Sequence, residues 1–232
     1  TYLEVLNHQN AASLYKDAYT TIIKMQKYVE THALKVYDDS LLRDELQLFP
    51  DWYLKSHKSY ALNDSEKNIL NLTFDLLIKN IRSHAEVFVH RDFHSRNLMF
   101  CNGEQGQNPG ILDFQDAVKG SIVYDLVSLF KDAYIVWEEE EVMDWLIRYW
   151  ELAKKNGLKV QEDFAEFYRD FEWMGVQRHL KVLGIFARLN YRDHKANYLN
   201  DLPAVENYLR RACERYRELH PLLKIINKLS LA

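Results

Sequence analysis

The spacing of apolar residues changes between residues 87 and 116. Outside this region apolar side chains recur at helical intervals, whereas inside it they form three short runs, 87–89, 97–100 and 110–114. Short apolar runs separated by polar turns are typical of strands. The chain has only seven glycines and four prolines in 232 residues, so few residues interrupt helices elsewhere. The pattern predicts a mainly α protein with a small β patch, an α+β fold.

Helices are expected on both sides of the β patch. Before it, the sequence predicts helices over 10–33, 41–55 and 63–83, with an interruption near Pro50 and a capping box of Asn63 and Glu66. After it, the predicted helices are 121–136, 138–156, 161–190, 201–218 and 220–230. The polar segment CNGEQGQNPG (101–110) predicts the turn of a hairpin.

Nothing in the sequence indicates an internal boundary, because there is no repeat and no low-complexity linker. We therefore expect a single domain over 1–232. It would be helical over 1–86, would carry a catalytic and metal-binding β hairpin region over 87–116, and would be helical again over 117–232 on the substrate side.

The polar loop between the first two apolar runs carries the chemistry. VFVHRDFHSRNLMF places His90, Asp92 and Asn97 directly after one strand, and Asp113 ends the next run in GILDFQDA. An ionised Asp92 can orient a hydroxyl and accept its proton. Asn97 and Asp113 offer oxygen ligands of the kind that Mg²⁺ prefers. Since phosphoryl transfer needs mainly positioning and charge neutralisation, the loop predicts part of a phosphotransferase site.

Two other interpretations of this loop remain open. The polar residues could be turn residues that only end the strands. Alternatively, His90, Asp92 and His94 alternate along the chain and could bind Zn²⁺ in a metallohydrolase. The second interpretation leaves Asn97 and Asp113 without a role.

Composition excludes some other classes of function. The net charge of −4 and pI of about 6.1 disfavour a protein that grips nucleic acid through its phosphates. No apolar run approaches the roughly 20 residues needed to span a bilayer, so no membrane association is expected. Cys101 and Cys213 are far apart and match no metal-binding spacing, as expected for reduced thiols in a cytoplasmic protein. The sequence contains no indication of oligomeric state.

The motifs HRDFHSRNLM and ILDFQDA resemble those of the aminoglycoside phosphotransferase and choline kinase family, which is related to protein kinases. Longer segments, LLRDELQLFPDWYL and MGVQRHLKVLGIFARLNYRDHKANYLNDLP, are similar to bacterial kinases that phosphorylate N-acetylmuramate and N-acetylglucosamine at the anomeric hydroxyl in cell-wall recycling. The resemblance runs over about residues 1–218. It implies the C-terminal lobe of a protein kinase-like fold, with ATP as co-substrate and Mg²⁺ as cofactor.

The resemblance also implies roles for single residues. Asp92 would be the catalytic base, and Asn97 and Asp113 would bind Mg²⁺. His90 would brace the loop through a hydrogen bond, and Asp125 would hold the loop backbone from the following helix. Apart from the resemblance, a sugar acceptor needs hydrogen-bonding groups, and the candidates are Arg91, His94, Arg96, Asp116, Gln177, Arg178 and Arg188. For Asp116, contact with the metal is the alternative.

A kinase of this group also needs a β-rich lobe that grips ATP through a phosphate-covering loop and a strand-borne lysine. We find neither feature before residue 87. We therefore expect that this N-terminal lobe is absent from the chain, and that the chain alone binds ATP poorly and turns over negligibly. The alternatives are a kinase of another acceptor, such as an aminoglycoside or choline, and a non-catalytic binding protein that lacks the ATP lobe.

Overall fold

The computed structural model describes residues 1–101 and 108–229. Within them the chain forms two compact units, where the sequence predicts a single domain. Unit 1 comprises Thr1–Tyr37 and His84–Phe171, and unit 2 comprises Asp38–Ser83 and the chain from Glu172. In this part of the chain, no helix is both long and apolar enough to cross a membrane.

The mainly helical fold class is confirmed. In chain order the α-helices of the described residues are α1 (Tyr2–Val5), α2 (Ala11–Tyr28), α3 (Asp39–Leu48), α4 (Asp64–Ile81), α5 (Tyr124–Phe130), α6 (Glu139–Lys155), α7 (Phe164–Tyr191), α8 (Leu202–Arg215) and α9 (His220–Leu229). The predicted capping box opens α4, because the Asn63 side chain accepts from the Glu66 amide and the Glu66 side chain accepts from the Asn63 amide. The core of unit 1 includes aromatic rings from four positions, Tyr15, Phe130, Trp137 and Trp145.

The small β patch lies in unit 1 and consists of two antiparallel pairs. Strand β1 (Glu86–Val89) pairs with β4 (Val118–Ser121), and β2 (Leu98–Met99) pairs with β3 (Gly110–Ile111). The second pair is the predicted hairpin, and residues 102–107 of its turn lie outside the described residues.

The prediction missed β4, which it placed in the helical part after residue 116. The sequence VKGS is short and has one strongly apolar residue, so it gives no period-two signal. Its strand conformation is supplied by neighbours: β1 pairs along one edge, and backbone hydrogen bonds link Lys119 to Lys35 and Tyr37.

The predicted interruption at Pro50 takes a different form. The chain does not leave the helix there but continues from α3 as a π-helix over Phe49–His57. Because proline has no N–H group, the α-helical hydrogen-bond ladder cannot pass through it unchanged. The wider turn accommodates this, and the Lys58 amide donates to the carbonyl five residues earlier, at Tyr53.

Gly184 lies in the middle of α7, where a glycine normally weakens a helix. In unit 2 it touches the end of α3 so closely that a Cβ atom would stand 2.5 Å from the Leu48 carbonyl oxygen and 2.6 Å from the Leu48 Cβ. One of these neighbours is backbone, so it cannot move aside as a flexible side chain would. Close helix packing therefore explains the glycine.

We expect the substitution Gly184→Ala to lower the free energy of unfolding by about 1–3 kcal/mol, since the cost of overpacking exceeds the roughly 1 kcal/mol gained in helix propensity. Urea unfolding followed by circular dichroism measures this. Gly157→Ala is a useful control, because no atom lies within 4 Å of a Cβ there and only its φ of +76° causes strain. Equal stability of Gly184→Ala and the parent chain would contradict the close approach.

Candidate active site

The loop of residues 90–97 connects β1 to β2 in unit 1, and α5 fixes its first residues. The backbone amides of His90 and Arg91 donate to the two carboxylate oxygens of Asp125, at 2.8 and 3.0 Å. Arg91 has a φ of 76°, a left-handed conformation that is unfavourable for a residue with a side chain. Asp125 therefore makes the contact that its predicted role requires, and it does so where the loop backbone is strained.

Asp92 and Asn97 are linked within the loop. The side-chain amide nitrogen of Asn97 donates to the backbone carbonyl of Asp92 at 3.0 Å. This bond occupies the nitrogen end of the amide, so Oδ1 is the atom of Asn97 that can ligate a cation. The Asp92 carbonyl also accepts from the His94 amide at 3.0 Å. Neither bond involves the half-buried side chain of Asp92.

Asp113 follows β3 and lies near Asn97 through the strand pairing. Leu98 pairs with Ile111, and the Leu112 amide donates to the Asn97 carbonyl at 3.0 Å. Asp113 itself is exposed and adopts a left-handed backbone conformation with a φ of 61°. Its Oδ1 accepts from the Gln115 side chain at 3.2 Å.

The donor set of Asn97 and Asp113 fits Mg²⁺ in its chemistry, because both offer oxygen and this ion keeps several water or phosphate ligands. In the described residues no group of three or more His, Cys, Asp or Glu side chains could hold a metal ion. The metallohydrolase interpretation requires such a group, so the structure does not favour it.

His90 is fully buried and packs edge to face against Phe93, with ring centroids 5.7 Å apart. Burial lowers the pKa of its imidazole, although the carboxylates of Asp92 and Asp113 and the Leu112 backbone oppose the shift. The ring is therefore neutral at pH 7. The backbone amide of His90 donates to Asp125, and a bracing hydrogen bond from its ring stays a prediction.

Four of the predicted sugar-binding residues lie around this loop. Arg91 stacks over Tyr37 at 5.6 Å, and its guanidinium is 3.5 Å from the Asp116 carbonyl. Arg96 stacks over Tyr134 at 3.5 Å, and the His94 ring contacts the same tyrosine edge to face at 5.3 Å. These contacts form two groups. One joins the Arg91 side chain to the backbone of Asp116, and the other joins His94 and Arg96 through Tyr134.

The other three predicted sugar-binding residues belong to unit 2. Gln177 is fully buried there and donates from its side chain to Glu45 at 3.2 Å, beside the buried ion pair of Glu45 with Lys181. This bond holds Gln177 within the packing of the unit, and its contact with a sugar stays a prediction. Arg178 is also buried, whereas Arg188 is half-buried near the end of α7. Contact of Arg178 and Arg188 with a sugar stays a prediction.

Comparison with known proteins decides the family. Residues 1–166 match the model of the phosphotransferase enzyme family. The chain belongs to this family. It is 45% identical to the N-acetylmuramate/N-acetylglucosamine kinase of Neisseria meningitidis serogroup B over 99% of the chain and 69% of that kinase. The protein of the same name from Pseudomonas putida is 42% identical, over 99% of the chain and 66% of its own length. The predicted resemblance is thus confirmed, and the chain spans about two thirds of the length of these relatives.

Solved structures support the kinase-like fold. The chain resembles the aminoglycoside phosphotransferase APH(2'')-Ib, ADP-bound, with a TM-score of 0.52 and 14% identity over 88% of the chain and 65% of that protein. It also resembles an ethanolamine kinase of Plasmodium vivax, with a TM-score of 0.56 and 12% identity over 90% of the chain and 61% of that protein. At such low identity these similarities concern the fold alone.

Proposed function

We propose that this chain is the acceptor-handling part of an ATP-dependent kinase that phosphorylates N-acetylmuramate or N-acetylglucosamine at the anomeric hydroxyl. The observation that carries the proposal is the identity of 42–45% over 99% of the chain with kinases named for these sugars. The arrangement of Asp92, Asn97 and Asp113 supports it, because a carboxylate and two oxygen ligands are what phosphoryl transfer requires.

In the proposed reaction, the Asp92 carboxylate accepts the proton of the anomeric hydroxyl. The sugar oxygen then forms a bond to the γ-phosphorus of ATP, and the bond from that phosphorus to the bridging oxygen breaks, which releases ADP. An anomeric hydroxyl is more acidic than an ordinary alcohol, so a carboxylate is an adequate base.

Asn97 and Asp113 would hold Mg²⁺, which would neutralise charge on the phosphate oxygens. Both residues are held by contacts already in place: Asn97 donates to the Asp92 carbonyl, and Asp113 accepts from Gln115. These contacts restrict both side chains, which lowers the cost of reaching the reactive geometry. That the remaining ATP contacts come from a separate lobe, and that the chain alone is inactive, stay predictions.

The test is to determine which oxygen of the sugar is phosphorylated by the natural gene product that contains these 232 residues. With ATP and Mg²⁺ we expect it to convert N-acetylmuramate and N-acetylglucosamine to sugar 1-phosphates, which phosphorus NMR identifies. The methyl glycoside of N-acetylglucosamine is a matched control, because it differs only in its blocked anomeric oxygen. We expect no detectable turnover with it.

Comparable ATP consumption with the methyl glycoside would show that another hydroxyl is the acceptor and would overturn the anomeric assignment. Turnover of gentamicin in preference to both sugars would overturn the proposed substrate class.

A further inference from the structure

Helix α5 and the residues after it present three polar side chains to the 90–97 loop. Asp125 and Ser128 lie three residues apart in α5, a spacing that places side chains on one face of a helix, and Asp132 follows four residues later. Asp132 lies two residues beyond the end of α5 at Phe130. The resemblance to known kinases supplied a role only for Asp125.

The first two of these residues hold the beginning of the loop. Asp125 accepts from the amides of His90 and Arg91, and the Ser128 hydroxyl donates to the Arg91 carbonyl at 3.2 Å. The strained residue Arg91 is therefore bonded through both its N–H and its C=O group. This half of the loop precedes Asp92.

Asp132 holds the other half, beyond Asp92. One oxygen of its carboxylate accepts from the Ser95 amide at 2.9 Å, and the other accepts from the Tyr134 amide at 3.0 Å. Asp132 is only 3% exposed, so both bonds are shielded from water. Hydrogen bonds to an ionised group are the stronger ones, and a buried carboxylate that lost them would be costly.

The two backbone amides that Asp132 binds lie next to a group of stacked side chains. His94 and Arg96 flank Ser95 in sequence, and both contact the ring of Tyr134. Asp132 thus links the backbone at Ser95, between His94 and Arg96, to the backbone at Tyr134, whose ring these two side chains contact. Asn97 follows immediately, and its own amide donates to the His94 carbonyl at 2.9 Å.

We infer that Asp132 is a positioning residue for the reaction. It holds the part of the loop after Asp92, on the acceptor side, as Asp125 holds the part before Asp92. Through the Ser95 and Tyr134 amides it holds the His94–Arg96–Tyr134 stack, which forms a wall for the sugar. Tyr134 is then a sugar-contacting residue in its own right. The expected effect on kinetics rests on the proposed function, whereas the expected effect on hydrogen exchange does not.

The structural part is tested on the chain itself by hydrogen exchange. In Asp132→Asn one carboxylate oxygen becomes an NH₂ group, which cannot accept, so at least one of the two amides loses its partner. We expect faster exchange at Ser95 or Tyr134 by at least about tenfold, the factor that corresponds to roughly 1.4 kcal/mol. The matched control is Asp163→Asn, since Asp163 also accepts a backbone amide, that of Ala165 at 2.6 Å, but at the start of α7. Unchanged exchange at both Ser95 and Tyr134 would overturn the inference, whatever the substrate of the enzyme is.

The kinetic part uses the natural gene product with ATP and each sugar. We expect Asp132→Asn to lower kcat/KM for the sugar by about 10–100-fold, a loss typical of misplaced reacting groups, while KM for ATP stays within about twofold. A merely structural residue would lower the melting temperature without this split between the two substrates. The exposed control Asp163→Asn should change neither quantity, because asparagine can still accept the Ala165 amide.

If Asp132→Asn does not fold, Tyr134→Leu tests the same wall, because it keeps the backbone bond to Asp132 and removes only the ring. It should raise KM for the sugar by at least about fivefold, since burying a stacked ring contributes about 1 kcal/mol. An unchanged KM for the sugar in the variants that fold would overturn the proposed wall.

Discussion

Asp92→Asn is expected to reduce kcat for sugar phosphorylation by about 10²–10⁴-fold, the range that general acid–base catalysis contributes. The amide cannot take the proton of the attacking hydroxyl. KM for ATP and the melting temperature should stay nearly unchanged, because the loop uses the backbone carbonyl of Asp92, which accepts from Asn97 and His94, and this carbonyl is retained. Steady-state kinetics of the natural gene product, with thermal unfolding of the same samples, measures both.

The control for this experiment is Asp163→Asn, the same chemical change outside the loop, which should leave kcat within about twofold because it alters no group of the site. More than a tenth of the parent kcat in Asp92→Asn would exclude Asp92 as the base. A large fall accompanied by unfolding would instead assign the side chain a role in stability.

Asp125→Asn should substantially lower the free energy of unfolding. Asp125 is 1% exposed, and its two oxygens accept from the His90 and Arg91 amides. Asparagine can accept only one of these bonds and turns an NH₂ group toward the other amide. A buried donor without a partner costs about 1–3 kcal/mol, and the bond that remains is weakened because its acceptor is no longer charged. We expect a loss of about 2–4 kcal/mol on these grounds, measured by urea unfolding.

Two controls calibrate this value. Ser128→Ala removes one hydrogen bond to the same loop and should cost about 1 kcal/mol. Glu140→Gln changes an exposed acid at the start of α6 and should lie within about 0.5 kcal/mol of the parent chain. A loss for Asp125→Asn no greater than that for Ser128→Ala would contradict the double acceptor role of Asp125.

Much of the site could be predicted from the sequence because its residues are close together along the chain. Asp92 and Asn97 lie in one loop of eight residues between two strands, so local spacing already implies that they meet. Asp113 is brought near them by a hairpin, the simplest long-range contact that a sequence pattern can indicate. The residues on the acceptor side stay predictions. Gln177 was chosen for its position on a helix, but the structure buries it against Glu45, because a helix pattern indicates a face and not what that face packs against.

The sequence alone determined the mainly helical class, the β hairpin with its polar loop, and the family, because each of these depends on residues within a few positions of one another. The tertiary structure decided the partners of the loop. Strand β4 forms only because β1 lies beside it, and Gly184 is explained only by the carbonyl of Leu48. The roles of Ser128 and Asp132 likewise depend on α5 packing against residues more than thirty positions earlier. Such contacts follow from how the chain folds back on itself. The spacing of Asp125, Ser128 and Asp132 can therefore be interpreted only when the loop of residues 90–97, which they contact, is known.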